Sequence, residues 1–255
     1  MRDKNAISCI VITKNEEKNI GRCLRSLDDV ADEIIVLDSF SEDATEEICK
    51  QHKVRFEKIE WKGYSDTKNY GNTLASYKYI LSVDADEALS EALINEIIQL
   101  KDKGFESDGY MVNRLTNYCG KWIRHCGWYP DKKLRLWNKE LGKWEGYIHE
   151  EVKMKDGSRI SSLKSDLLHY SYNSINDHLQ QMIMFTDMMA QDLINKGRKP
   201  GILKLLVSPF VKFIKAYFLQ GGFRDGFYGF VISVLSSCAT FLKYAKARQF
   251  ILLKK

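Results

Sequence analysis

The chain has 255 residues, enough for one large domain or a domain of common size plus an appendage, and its 44% apolar content can fill a sizeable core. A charged fraction of 29% excludes a collagen-like or low-complexity chain. The net charge of +5 is uneven: residues 1–100 are balanced or acidic and residues 196–255 clearly basic, which suits an anionic membrane surface or nucleic acid.

Residues 7–12 read as a short strand buried on both faces. Asn15 would cap the helix in which Ile20, Cys23, Leu24 and Leu27 recur at helical spacing. Residues 33–38 form a second buried strand, and Asp43-Ala44-Thr45-Glu46 has the form of a capping box opening a helix to about His52. A third strand (54–59), a helix (66–74), a fourth strand (79–83) and a helix (91–103) follow. This alternation predicts an α/β fold with a mostly parallel sheet flanked by helices. Strands at 109–118 and 132–137 enclose an aromatic stretch containing Trp122, His125, Trp128 and Tyr129, which would either face a sugar or simply pack.

Residues 175–196 are an amphipathic helix, and residues 202–219 and 227–247 form two more apolar segments. Neither is a clean transmembrane span: the first is interrupted by Lys204, Pro209, Lys212 and Lys215, and the charge-free part of the second is slightly short. They would lie in a membrane interface or pack on the body or a second subunit, giving a homo-oligomer. Basic residues on apolar helices argue against a nucleic-acid partner. The six cysteines have neither Cys-x-x-Cys nor zinc-like spacing, and the first apolar run is too short for a signal peptide, so a reducing cytoplasm is expected.

Ligands of such sheets bind outside the carboxyl ends of the strands. Those ends carry residues 13–16, 38–41 and the stretch Asp84-Ala85-Asp86. On an extended chain Asp84 and Asp86 would project together, a pair suited to Mg²⁺ or Mn²⁺ with substrate phosphates. The competing reading is a turn at Asp84 and a helix cap at Asp86. Thr13-Lys14-Asn15-Glu16-Glu17 is bulky and acidic where a dinucleotide-binding turn needs glycines, and there is no phosphate-binding loop of the Gly-x-x-x-x-Gly-Lys type.

The sequence from Ile10 to Glu17, Val36 to Thr45, Lys68-Asn69-Tyr70-Gly71 and Asp84-Ala85-Asp86-Glu87 together resemble family 2 glycosyltransferases with the GT-A nucleotide-sugar-binding fold. Arg135-Leu136-Trp137, the stretch from Trp144 to Glu150 and the helical tail resemble the branch containing lipopolysaccharide-core glucosyltransferases of the WaaE type. The resemblance implies a catalytic domain over residues 1–172 and a helical C-terminal region over 173–255. It implies a nucleotide-sugar pocket of Thr13, Asn15, Glu16, Asp38, Ser41, Lys68, Asp84 and Ala85. Asp86 would be the direct metal ligand, with Asp84 beside it and His149 or His169 completing the shell. Family members invert the anomeric carbon and need a base. Many relatives place it in a Glu-Asp pair, and none stands in the expected middle region here, so the resemblance does not fix the base; Glu150 is taken as the candidate, with Glu145 and Glu151 as alternatives. Asp131, Arg135 and Trp137 would meet the acceptor.

The expected activity is transfer of a hexose, glucose first, from a UDP-sugar to a lipopolysaccharide-core or other envelope glycan. It would take place at the inner face of the bacterial inner membrane, on a peripherally bound enzyme. The alternatives are a polyprenyl phosphate, peptide or exopolysaccharide acceptor, or a non-catalytic nucleotide-sugar-binding protein.

Overall fold

The computed structural model describes residues 5–146 and 150–253. The chain divides into two compact units, one of residues 1–114 and 131–170, the other of residues 115–130 and 171–255. Residues 115–130, grouped from sequence with the catalytic domain, therefore fold with the C-terminal helices.

The first unit begins with β1 (Ile7–Thr13), α1 (Ile20–Leu27), β2 (Glu33–Asp38), α2 (Thr45–Cys49), β3 (Arg55–Lys58) and α3 (Tyr64–Leu74). It continues through β4 (Tyr79–Asp84), β5 (Glu87–Leu89), α4 (Glu91–Lys103) and most of β6 (Gly109–Tyr118). Beyond β7 (Lys121–Ile123) come β8 (Asp131–Asn138), β9 (Gly142–Glu145), β10 (Glu151–Met154) and β11 (Ile160–Tyr172). The sheet runs β3-β2-β1-β4-β8-β6-β11-β5, with β7 on β6 and β9–β10 as a separate hairpin. The first four strands pair in parallel as the helical crossovers require, and β8 then pairs antiparallel with β4.

Alternation along β1 explains the two-sided core. Ile7, Cys9 and Val11 join the cluster with Ile20, Cys23, Leu24 and Leu27 of α1 and Leu93 and Ile97 of α4. Ile10 and Ile12 face the other way, with Ile35, Leu37, Ile80, Trp137 and Trp144. Close packing on that side puts α3 against the sheet at Gly71, where a Cβ would come within 2.5 Å of Ile10 Cγ2.

Two helix starts differ from expectation. Helix α1 begins at Ile20 after Asn19, so Asn15 is not its cap. Asn15 adopts a left-handed φ of 55° instead, taking Ser41 Oγ on its N–H and offering Oδ1 to the Glu42 N–H. The capping box at 43–46 does not form. Asp43 accepts from the Thr45 and Glu17 N–H groups, and α2 is a short helix ending at Cys49.

The second unit holds α5 (Ile175–Asn195), α6 (Ile202–Ile214), a π-helical turn (Lys215–Leu219), a 3₁₀ turn (Gly222–Asp225) and α7 (Gly226–Leu253). A capping box of Ser174 and Asp177 opens α5. Trp128, Tyr172, His178 and Tyr228 pack around the fully buried Tyr118, so Trp128 belongs to an aromatic core. By length and composition α7 suffices to cross a membrane, which the charge-free segment alone had not suggested.

Candidate active site

The site is built at the carboxyl end of β4, within the first unit. The strand ends at Asp84, and Ala85-Asp86 form a turn before β5. Period-two alternation therefore stops one residue too early to pair the two aspartates, and they take different partners. Helix α4 is capped by Ser90, whose Oγ accepts from the Leu93 N–H, so Asp86 is not a cap.

Asp84 lies in a chain of alternating charge. Asp131 pairs with Arg114 (2.7 Å), and Arg114 with Glu87 (3.5 Å). Glu87 holds Arg135 (2.5 Å), Arg135 reaches Asp84 (3.0 Å), Asp84 meets Lys68 (2.9 Å), and Lys68 approaches Glu150 (3.4 Å). Glu87, Arg135 and Lys68 are buried, and such charges are tolerable only when paired. Burial works against ionisation of Asp84, yet Lys68 and Arg135 hold its carboxyl far below the usual carboxylate range. Burial likewise opposes the charge on Arg135, and Glu87 and Asp84 overcome it and raise its pKa. Glu87 also accepts the Asp84 N–H (3.0 Å), fixing the backbone where the strand ends.

Trp144 covers this cluster. Lys68 Nζ lies 4.4 Å from the centre of its ring, and Arg135 lies 5.9 Å from it. The Asn69 side chain grips the Trp144 backbone twice, donating to its carbonyl and accepting its N–H, each at 2.9 Å.

A second group forms around Asp86. His169 Nε2 lies 3.1 Å from Asp86 Oδ2, and Tyr170 N–H donates to the Asp86 carbonyl. Arg22 stacks on the Tyr170 ring at 3.7 Å. The Glu16 pKa is raised, first by burial and further by Asp86 and Asp43, against the opposing hydrogen bond from Asn19. At the ends of β1 and β2, Thr13 is buried with its Oγ1 lacking a protein partner, while both Asp38 oxygens accept from Ser41, at 2.9 Å and 2.5 Å. Phe40 holds a left-handed φ of 57° with its ring half exposed. Such backbone is sparsely populated for a bulky residue and concentrates at functional sites. Ala85 N–H donates to the Ile12 carbonyl, tying this turn to β1.

The other candidate residues take different places in the first unit. Trp137 is fully buried beside Trp144 and cannot meet an acceptor. Arg135 is an internal counter-ion, and Asp131 is engaged by Arg114 and Lys133. Glu145 lies on the β9–β10 hairpin paired with Lys143 and Lys153, and Glu151 is exposed at the start of β10. Of the three candidate bases, Glu150 is the one joined to the charge chain. His149 lies outside the described residues. A hollow of about 490 Å³ on the hairpin is lined by Lys139, Gly142 and Lys153, and Asp84, Asp86 and Lys68 are not in its wall.

Glu87, Arg114, Asn69 and Trp144 were missed as site residues. Glu87 stands beside the aspartates in sequence, a third acid within four residues of the end of a buried strand. Nothing local marks Arg114, and the stretch 68–71 that contains Asn69 gives no sign of its role, because their partners lie 17 and 75 residues away.

The sequence profile described as "Glycosyl transferase family 2" matches residues 8–150, more than half of the chain. The chain belongs to glycosyl transferase family 2. A Rickettsia bellii protein named as an uncharacterized glycosyltransferase is 32% identical to it over 256 residues, covering 95% of this chain and 86% of that one. The lipopolysaccharide core biosynthesis glycosyltransferase LpsC of Rhizobium meliloti is 27% identical, covering 98% and 94%. Among solved structures, the mannosyltransferase PcManGT from Pyrobaculum calidifontis, in complex with GDP-Man and Mn²⁺, aligns with a TM-score of 0.54. It is 14% identical, with 94% of this chain and 86% of that chain covered, a likeness of fold alone. This family 2 glycosyltransferase has the GT-A fold, with a helical region at its C-terminal end.

Proposed function

We propose that the enzyme is an inverting hexosyltransferase, moving a hexose, glucose first, from a UDP-sugar to a lipid-linked core oligosaccharide of the bacterial envelope. It would work as a peripheral protein at the cytoplasmic face of the inner membrane. The observation that carries this reading is the meeting of Asp84, Lys68 and Glu150 at the carboxyl end of β4. The near full-length similarity to LpsC supports the acceptor class.

Asp86 Oδ2 and His169 Nε2, 3.1 Å apart, are a carboxylate and an imidazole that suit a divalent ion, Mn²⁺ better than Mg²⁺. Among the described residues no group of three or more His, Cys, Asp and Glu side chains is placed to hold a metal, so substrate phosphate oxygens would complete the shell. When bound, the ion would neutralise the charge growing on the departing nucleoside diphosphate. Lys68 adds a fixed positive charge, desolvated under Trp144 and directed by Asp84. Glu150 would take the proton of the acceptor hydroxyl as it attacks the anomeric carbon, and Lys68 positions its carboxylate. Thr13, with its unpartnered hydroxyl, and Glu16 would line the nucleotide side of the site.

The test measures turnover of UDP-, GDP-, dTDP- and CMP-hexoses with and without Mn²⁺ on the wild type, Asp86→Asn and Glu150→Gln. Mn²⁺-dependent turnover of one UDP-hexose is expected, with both variants reduced by about 10²-fold or more while donor affinity survives in Glu150→Gln. Turnover of another nucleotide's sugar would replace the donor, full activity in Glu150→Gln would remove the base, and no donor binding at all would sink the reading.

A further inference from the structure

We propose that α6 and the turn that follows it, residues 202–227, form a docking face for an anionic phospholipid bilayer, lying in the plane of the interface and not crossing it. This deepens the peripheral-membrane part of the preceding reading and rests on that reading only for its purpose; the observations come from the second unit alone.

The first observation is uncovered apolar surface. Helix α6 has no buried residue. Leu203 is 73% exposed, Leu206 63% and Phe210 69%, at spacings of three and four residues that put them on one face. The turn adds Phe218, Leu219 (78%), Phe223 and Phe227. Monomeric soluble proteins rarely leave so continuous an apolar surface in water.

The second observation is the charge around it. Residues 193–255 contain twelve lysines and arginines and one acid, Asp225, whereas residues 1–192 hold 27 against 33. Asp225 is buried: it accepts the His125 backbone N–H (2.8 Å), shares a hydrogen bond with the His125 ring (2.9 Å), and its carbonyl accepts from Lys121 (2.6 Å). The single negative charge thus turns inward, while Lys204, Lys215 and Arg224 stay exposed beside the apolar residues. Apolar surface flanked by uncompensated cations matches acyl chains beneath anionic headgroups. A second copy would bring like charges together, because a two-fold interface presents the same patch from both sides.

The third observation sets the orientation. Helix α7 as a whole is long and apolar enough to span, but its charge-free stretch, residues 226–242, gives only about 25 Å of helix against a hydrocarbon core of about 30 Å. Beyond it, Lys246 donates to the Ile183 carbonyl (3.0 Å) and Thr186 Oγ1 (2.9 Å), and Arg248 to the Pro200 carbonyl (3.0 Å). These bonds tie the C-terminal end of α7 to α5 and to the segment before α6, leaving α6 and the turn as the part that enters the headgroup region.

The experiment sediments the full chain with vesicles of phosphatidylcholine alone, or containing about one third phosphatidylglycerol, with no sugar donor or acceptor present. The protein is expected to pellet with the anionic vesicles only. Raising salt from about 0.1 M to about 0.5 M should weaken binding about tenfold. The double variant Leu206→Gln/Phe210→Gln, at exposed positions that leave the fold intact by circular dichroism, is expected to lose at least about tenfold in affinity. Lys215→Glu/Arg224→Glu should do the same. Equal binding to both vesicles, no binding, or unchanged binding of the apolar variant would overturn the proposal. Retention in carbonate-washed membranes would overturn the in-plane orientation. An apolar variant that turns a dimer into a monomer while still binding vesicles would make the face a protein interface. A failed transferase assay leaves these outcomes untouched.

Discussion

Glu87 shows how one side chain organises the site without meeting solvent. It is 1% exposed, accepts the Asp84 N–H, and neutralises Arg135 with help to Arg114. Glu87→Gln would keep the shape and remove the charge, leaving Arg135 buried with Asp84 as its remaining acid. Breaking a buried pair from one side costs about 3–5 kcal/mol. A loss of that size in urea unfolding is expected; a loss below about 1 kcal/mol would mean that the arginine finds water or another acid.

At the scale of elements, α3 carries Lys68, and two contacts determine where it sits. Asn69 ties it to β9 through the Trp144 backbone. Asn69→Ala leaves a buried donor and acceptor unpaired and should cost about 1–3 kcal/mol. Hydrogen exchange at Trp144 N–H should accelerate in that variant, an effect that a uniform loss of stability would not confine to β9. Gly71 lets the helix lie against β1 and β2. In Gly71→Ala the new methyl meets Ile10 Cγ2 at 2.5 Å and Leu37 Cδ1 at 2.9 Å. Overpacking of this kind costs about 1–3 kcal/mol, so a lower urea midpoint is expected even though alanine is the better helix former.

At the scale of the molecule, the second unit carries an acid-sensitive group in its core. His178, in the aromatic core of the second unit, shares a 3.0 Å hydrogen bond with Tyr118, and burial brings its pKa down to about 4. Between about pH 6.5 and 4 the unfolded chain binds a proton there that the folded chain refuses. Stability is therefore fully present above about pH 6.5 and falls as the pH drops towards 4. The expected observation is a wild-type melting temperature that falls from pH 7 to pH 5, with a smaller fall in His178→Asn. Equal slopes in the two proteins would assign the acid sensitivity elsewhere.

The sequence by itself determined the strand and helix order up to Lys103 except for β5, the two-faced core of β1 and the place of the polar rim. Each follows from local periodicity and from where apolar runs end. It also marked Glu150, and the structure joins that residue to Lys68. Only the tertiary structure decided which charges neutralise which. Asp131, Arg114, Glu87, Arg135, Asp84, Lys68 and Glu150 come from six places along the chain, and the energy of a buried charge depends on its neighbours in space. For the same reason Trp137 read as a surface aromatic and proved to be core. Asp84 and Asp86 parted company because β4 ended between them, a boundary set by its pairing with neighbouring strands and invisible in the residues themselves.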